Sequence, residues 1–203
     1  MTKVSLLLVV AMAASVPAFA QQAQPAPTPS ASPNTVGNRR ENQQDRIANG
    51  VQSGQLTAGE TKNLENREAN LNQQIHADRT ANGGKLTQQE RQNIDRRQNN
   101  LSRSIYQDKH NAAQAHFGNN EIGQRRENQQ DRIAQGIRSG QMTAGEASRA
   151  EGRQQNINRS IAADRAANGG RLTQQERQNI NRRQNGASRQ IYRQKHNAAR
   201  QRH

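Results

Sequence analysis

The chain lacks several residue types on which folds and active sites commonly rely. It contains no cysteine and no tryptophan, and aromatic residues make up 2% of its 203 residues. Without cysteine, disulfide bridges and thiol chemistry are excluded. Beyond residue 20, the larger apolar residues (Val, Ile, Leu, Met, Phe and Tyr) number 23 of 183, a share close to that of disordered proteins. The composition therefore predicts a small core, narrow apolar seams between helices and little long-range packing.

Long apolar runs are also absent, except near the N-terminus. Lys3 precedes the apolar segment 5–14, and Ala18-Phe19-Ala20 follows it as a small-x-small cleavage pattern. This order is typical of a signal peptide over residues 1–20, because a membrane-spanning helix needs about 20 apolar residues. We predict cleavage after Ala20. The mature protein is then expected in the bacterial periplasm or outside the cell, with no transmembrane segment.

Acidic residues are too few to balance the basic ones. The chain carries 30 Lys and Arg against 16 Asp and Glu, a formal charge of +14 at pH 7. Because the two signs are interspersed, a solvated helix surface accounts for most of these charges. The excess predicts anionic partners, either unfolded or acidic proteins or polyanions of the cell envelope. Specific nucleic-acid recognition is not expected, since stacking residues are scarce and no known module occurs.

Most of the remaining chain is present twice. Residues 39–114 align without a gap with residues 125–200, and 52 of the 76 positions are identical. We predict a Pro/Ala/Ser-rich tether over 21–37, a helical repeat over 38–117, a linker over 118–122 and a second helical repeat over 123–203. The pattern of each repeat predicts about three helices. The expected fold is all-α, an elongated tandem repeat of helical hairpins with a small core.

Local signals place the helix ends. Thr-x-x-Glu capping boxes predict helix starts at Thr57, Thr87, Thr143 and Thr173, because the Thr hydroxyl and the Glu carboxylate satisfy free backbone N–H groups reciprocally. Asn-Gly-Gly at 82–84 and 168–170 predicts the end of the second helix of each repeat. The first helix of each repeat is expected to give way to a loop at Gly50 and at Gly136. Gln98 occupies a position where the apolar stripe of its helix calls for an apolar residue.

Segment 78–90 resembles an EF-hand calcium loop. The candidate oxygen ligands, in the order that such a loop uses, are Asp78, Thr80, Asn82 and Glu90, with Asp164, Asn168 and Glu176 in the second copy. Two glycines stand where one is usual, and Ala166 replaces the threonine. The alternative is that Glu90 and Glu176 are capping-box residues and that Asn-Gly-Gly ends a helix. No cofactor is predicted, and calcium is the alternative.

The segments Leu86-Thr87-Gln88-Gln89-Glu90 and Leu172-Thr173-Gln174-Gln175-Glu176 resemble the L-T-x-x-Q motif of periplasmic stress chaperones of the Spy and CpxP type. This resemblance implies an exported, all-helical protein without a catalytic site that binds unfolded clients on a basic helical surface. The R-I-x-x-G and I-Y-x-x-K-H-N segments are similar to repeats of uncharacterised exported bacterial proteins. That second likeness carries no known activity.

The I-Y-x-x-K-H-N segment is itself a candidate partner site. Its functional groups are three and four residues apart, so on a helix they share one face. They are Tyr106, Lys109 and His110, and in the second copy Tyr192, Lys195 and His196. This face predicts contact with an anion or a client, and the alternative is a helix C-terminus that favours Lys and His. No nucleophile motif such as Gly-x-Ser-x-Gly occurs, so catalytic activity is not expected. The sequence predicts a non-enzymatic binding or stress protein that engages partners through basic helical faces, with calcium binding or polyanion binding as alternatives.

Overall fold

A computed structural model describes residues 35–201, which form six α-helices and no strand. The helices are α1 (Val36–Gln52), α2 (Ala58–Ala81), α3 (Gln88–Lys109), α4 (Glu121–Arg138), α5 (Ala144–Ala167) and α6 (Gln174–Lys195). The all-α class is confirmed for this part of the chain. The predicted signal peptide and the tether up to residue 34 lie outside the described residues. None of the six helices is long and apolar enough to cross a membrane.

All four predicted capping boxes are present. The Thr57 hydroxyl accepts the Glu60 backbone N–H at 3.3 Å, and the Glu60 carboxylate accepts the Thr57 backbone N–H at 2.9 Å. The same reciprocal bonds begin α3, α5 and α6. Helices α1 and α4 begin with single N-caps, Thr35 and Asn120. Thus α1 begins inside the segment predicted as tether, and α4 inside the segment predicted as linker.

The two sequence copies pack against each other through equivalent helices. The most extensive helix contacts are those of α2 with α5 and of α1 with α4. One apolar cluster draws on all six helices; it comprises Ile47, Ala48, Val51, Leu56, Leu64, Leu101, Ile105, Ile133, Ala134, Ile137, Met142, Ala147, Ala150 and Ile191. The expectation of little long-range packing was therefore wrong. The chain compensates for its few apolar residues by pooling those of both copies, which removes more apolar surface from water than two separate cores would.

Two smaller clusters lie further along the helical hairpins. In the first copy, Leu71 and Ile75 of α2 meet Ile94 of α3. In the second copy the corresponding cluster centres on Ile157, Ile161 and Ile180, with Ile122 of α4 added. Each hairpin closes through the predicted Asn-Gly-Gly turn, where Gly83 and Gly84 take positive φ angles of 61° and 90°. Only glycine adopts such angles without strain.

Buried glutamines join α1 to α3, and α4 to α6, in the same way. Gln43 donates to the backbone carbonyl of Gln98 at 2.7 Å, and the Gln98 amide donates to the Val36 carbonyl at 3.0 Å. Gln129 and Gln184 repeat both bonds at 2.8 and 3.0 Å. Gln98 and Gln184 are fully buried. The amide at the unexpected position of the apolar stripe is thus a cross-link between helices, because a buried amide needs hydrogen-bond partners.

Gly50 and Gly136 lie within α1 and α4 and not in the loops that follow them. A Cβ added to Gly50 would stand 2.7 Å from Leu56 Cγ, and one added to Gly136 would stand 2.6 Å from Met142 Sδ. These glycines therefore let the next loop fold back over the helix. The sequence prediction of a helix end at this point was wrong because the glycine provides space for packing and does not terminate the helix.

Candidate functional site

The candidate calcium loop forms a helix end followed by a capping box. Asn82 caps α2, and its side-chain amide donates to the Asp78 backbone carbonyl and to Glu90 Oε1, both at 2.8 Å. The Glu90 carboxylate also accepts the Thr87 backbone N–H at 2.7 Å, and this bond lowers the Glu90 pKa. The Thr80 hydroxyl donates back to the His76 carbonyl. The structure thus brings Asn82 and Glu90 together through an amide N–H, while Asp78 contributes a backbone oxygen.

The second copy has the same arrangement. The Asn168 amide donates to the Asp164 carbonyl at 2.7 Å and to Glu176 Oε1 at 2.8 Å. Glu176 accepts the Thr173 backbone N–H at 2.7 Å, which lowers its pKa. Among the described residues, no group of three or more His, Cys, Asp or Glu side chains is placed to hold a metal ion. The contacts favour the helix-capping alternative for both loops.

Thr87→Ala and Asp78→Ala, compared with chelator and with calcium, separate the two alternatives for this loop. Thr87→Ala removes the hydroxyl that accepts the Glu90 N–H, and loss of such an N-cap costs about 1 kcal/mol of unfolding free energy. We expect this loss to be equal with chelator and with added calcium, and Asp78→Ala to change little in either condition. Urea unfolding followed by circular dichroism measures both. Stabilisation of the parent chain by calcium, abolished by Asp78→Ala, would instead support ion binding.

The predicted partner patch is only partly assembled. The Tyr106 and His110 rings stack with centroids 4.1 Å apart, and Tyr192 and His196 do the same. Both tyrosines remain exposed, at 59% and 58%. The two aromatic groups of each patch therefore form one surface feature, as their spacing predicted.

The lysines of that patch lie elsewhere. Lys195 is 9% exposed, and its Nζ donates to Gln135 of α4 at 2.7 Å. Burial, together with the nearby Arg132, lowers the pKa of Lys195. Lys109 lies in the equivalent place, with its Cδ close to where a Cβ of Gly50 would be. Beside Tyr192 the cations are arginines, since Arg132, Arg189 and Arg193 line a groove of about 430 Å³ with it.

A larger cleft, which we call the arginine cleft, lies between α2 and the start of α5. It has a volume of about 660 Å³, and its basic residues are Arg40, His76, Arg79, Arg149 and Arg200. Arg40 comes from α1, His76 and Arg79 from α2, Arg149 from α5 and Arg200 from the segment after α6. No Asp or Glu is among the described residues that line it. The cleft therefore gathers positive charge from both sequence copies and is suited to an anionic group.

The lining of the arginine cleft also includes apolar surface and polar atoms without a hydrogen-bond partner. Ile75 and Ala144 lie in its lining. Gln201, 8% exposed, accepts the Ala144 backbone N–H through Oε1 at 3.1 Å, while its own Nε2 has no hydrogen-bond partner. Asn72 Oδ1 is unpaired as well. A buried donor without a partner costs about 1–3 kcal/mol, so a ligand that accepts from Gln201 would recover this loss.

Three carboxyl groups are buried between α2 and α5, where α1 packs on α2 and α4 packs on α5. Glu65, Glu68 and Glu151 each have 0% exposure. Gln44 donates to Glu65 at 3.3 Å, Gln130 donates to Glu151 at 2.9 Å, and Arg40 Nε lies 3.4 Å from Glu68 Oε1. Glu65 and Glu151 occupy equivalent positions in the two copies. We call Glu65, Glu68 and Glu151 the carboxyl cluster.

Burial makes the cluster hold protons more tightly than free carboxyl groups. Desolvation raises the pKa of Glu151 to about 8. Desolvation also raises the pKa of Glu65 well above its ordinary value, and the neighbouring Glu68 and Glu151 raise it further. For Glu68, desolvation raises the pKa while the Arg40 guanidinium opposes the rise. The neutral acid therefore predominates for Glu151 at neutral pH, which avoids the cost of an unpaired buried charge, and the pKa of Glu65 is shifted in the same direction.

No family model, curated protein or solved structure matches this chain. Its function must therefore be inferred from its own residues.

Neither the arginine cleft nor the carboxyl cluster was predicted from the sequence. A signal for the cluster is present, because Glu68 falls between Leu64 and Leu71 on the apolar stripe of α2, at i+4 and i−3. The cleft has no comparable signal. Its arginines come from four separate segments, and only the packing of one copy on the other brings them together.

Proposed function

We propose that this chain is an exported, non-enzymatic protein, built as a tandem repeat of helical hairpins, that binds acidic segments of partner proteins in the arginine cleft. The observation that carries the proposal is the lining itself, with four arginines and a histidine and no carboxylate among the described residues. Guanidinium groups bind carboxylates in bidentate fashion. The fold supports binding more than catalysis, because the buried carboxyl groups do not lie in the open lining of the cleft.

The shape of the cleft favours a short peptide segment over a long polymer. A volume of about 660 Å³ is in the range of small-ligand pockets, and Ile75 and Ala144 provide apolar contact beside the charges. A linear polyanion would be held by charges spread along a continuous surface, and its affinity would fall steeply with salt. An acidic segment with one apolar side chain uses both properties of the cleft.

Replacing arginines of the cleft tests the proposal. Arg149→Gln and Arg200→Gln are each expected to weaken binding of a fluorescent Asp/Glu-rich peptide containing one leucine by about tenfold, because each removes a charge-assisted hydrogen bond. Fluorescence anisotropy gives the dissociation constants. The matched control is Arg159→Gln, an exposed position of α5 that does not line the cleft, and it should bind like the parent chain.

Three results would contradict the proposal. Equal weakening by all three substitutions would indicate binding through net charge, as expected for an envelope polyanion. Tight binding of sulfated polysaccharide, with a steep salt dependence and no difference between Arg149→Gln and Arg159→Gln, would favour that alternative. A lack of any peptide binding by the parent chain would exclude the cleft as an acidic-segment site.

A further inference from the structure

Arg40 belongs to both the arginine cleft and the carboxyl cluster. Its side chain, 12% exposed, lines the cleft, while its Nε lies 3.4 Å from Oε1 of the fully buried Glu68. An anion in the cleft and the Glu68 carboxylate therefore compete for the positive charge of one guanidinium. This double contact links a surface site to a buried acid through a single side chain.

The other groups facing Glu68 do not replace that charge. From α1 it meets Arg40, and the neighbouring Gln44 is bonded to Glu65. On α2 itself Glu65 and Asn72 are neighbours, and from α5 Glu151 approaches the same cluster. Two of these neighbours are acids and two are uncharged amides. When an anion draws on Arg40, the charged form of Glu68 loses its stabilising cation and becomes costly to keep buried.

The second sequence copy shows what the fold does without this acid. The position equivalent to Glu68 is Gln154, whose amide donates to Gln129 at 2.9 Å. Arg126, the counterpart of Arg40, lies 5.3 Å from the centre of the Phe117 ring. In the first copy α1 packs on α2, and in the second copy α4 packs on α5 in the same way. The equivalent buried position is Glu68 in the first copy and Gln154 in the second. Glu68→Gln thus introduces a residue that this fold already accommodates.

We propose that binding of an anionic segment in the arginine cleft is coupled to proton uptake by Glu68, through their shared contact with Arg40. The inference rests on the proposed function, because it requires that the cleft bind anions. In the step itself no covalent bond to the ligand forms; a proton from solvent is transferred to a Glu68 carboxylate oxygen, and Arg40 is released toward the ligand.

The direction of the pH dependence follows from linkage. Ligand binding raises the pKa of Glu68, so the complex holds more protons than the free protein and affinity rises as the pH falls through the Glu68 range. Couplings of this kind change affinity by about 5–150-fold. We expect the parent chain to bind the acidic peptide at least about fivefold more tightly at pH 6 than at pH 8.5.

The test compares the parent chain with Glu68→Gln, both carrying His76→Asn, so that the two chains differ only at Glu68 and neither has an imidazole in the lining. Without the competing carboxylate, the Glu68→Gln variant should bind at pH 8.5 as tightly as the parent does at pH 6. Its affinity should be nearly independent of pH. The peptide carboxylates stay ionised throughout. Calorimetry in two buffers of different ionisation enthalpy should detect proton uptake for the parent and none for the variant.

The outcomes separate this inference from the function on which it rests. If the variant binds but keeps the parent's pH dependence and proton uptake, the coupling is wrong and the cleft remains a binding site. If neither chain binds the peptide at any pH, the proposed function fails and the coupling with it. Urea unfolding of the variant confirms that both comparisons are made on folded protein.

Discussion

The Glu151→Gln variant is expected to be several kilocalories per mole more stable than the parent chain at pH 9, and nearly equal to it at pH 5. In the folded protein burial raises the Glu151 pKa from 4.5 to about 8. Between those values the native state keeps a proton that the unfolded chain has lost, so stability falls by about 1.4 kcal/mol per pH unit. Glutamine resembles the neutral acid and removes this dependence.

The sign of this effect is opposite to that of a salt-bridged carboxylate. A raised pKa stabilises the fold at low pH, where both states are protonated, and the stabilisation is lost as the pH rises toward 8. Glu65 acts in the same direction, because burial raises its pKa as well. Urea unfolding at pH 5, 7 and 9 should therefore give a parent free energy of unfolding that declines with pH, and a smaller decline for the variant.

Glu127→Gln is the matched control for this comparison. Glu127 lies exposed on α4, so the substitution replaces a carboxyl group by the same amide without touching the buried cluster. It should leave the pH dependence of the parent intact. A parent chain whose stability is level between pH 5 and 9, or a Glu151→Gln variant that follows the parent at every pH, would show that the carboxyl cluster is solvated or paired in solution.

The pH dependence bears on the proposed function through the arrangement of the cluster. Glu65 and Glu151 lie on α2 and α5, the two helices with the most extensive contact between the sequence copies. The arginine cleft takes residues from both copies, including residues of these same two helices. Loss of protons from Glu65 and Glu151 should therefore lower the stability of that interface, an effect that urea unfolding measures separately from the affinity of the folded protein for the peptide.

Sequence reasoning succeeds where the signal is local. The capping boxes at Thr57, Thr87, Thr143 and Thr173 were predicted because each is complete within four residues, and the Asn-Gly-Gly turns for the same reason. It fails where partners are distant in the chain. Gln98 looks like a defect in an apolar stripe until Gln43, 55 residues away, is seen to bond to its backbone.

The same limit applies to the candidate sites. The stacking of Tyr106 on His110 follows from helical spacing. The position of Lys195 does not, because its partner Gln135 is supplied by α4. Burial of Glu151 likewise depends on the packing of α5 against α2. The repeat pattern does not predict that these two helices pack together, or how much of each is buried. Contacts between helices that are distant in the chain, within one copy or between the two, are thus what the sequence pattern does not supply.

Gly123→Ala and Gly186→Ala are expected to change stability in opposite directions. A Cβ on Gly123 would stand 2.1 Å from the carbonyl oxygens of Phe117 and Gly118, whereas one on Gly186 would meet nothing within 4 Å. Backbone atoms cannot rotate away as a side chain can. The first substitution must therefore displace the connection between the copies, at a cost of about 3 kcal/mol or more.

Gly186, within α6, provides the matched comparison, because alanine in an open helix interior stabilises by about 0.5–1 kcal/mol. Urea unfolding of the two variants beside the parent gives both values. Equal effects at the two glycines would mean that the carbonyl oxygens of Phe117 and Gly118 do not lie close to Gly123. The close approach lies where the connection between the copies enters α4, and α4 packs on α1, so Gly123→Ala should also disturb the arginine cleft, which draws residues from both copies.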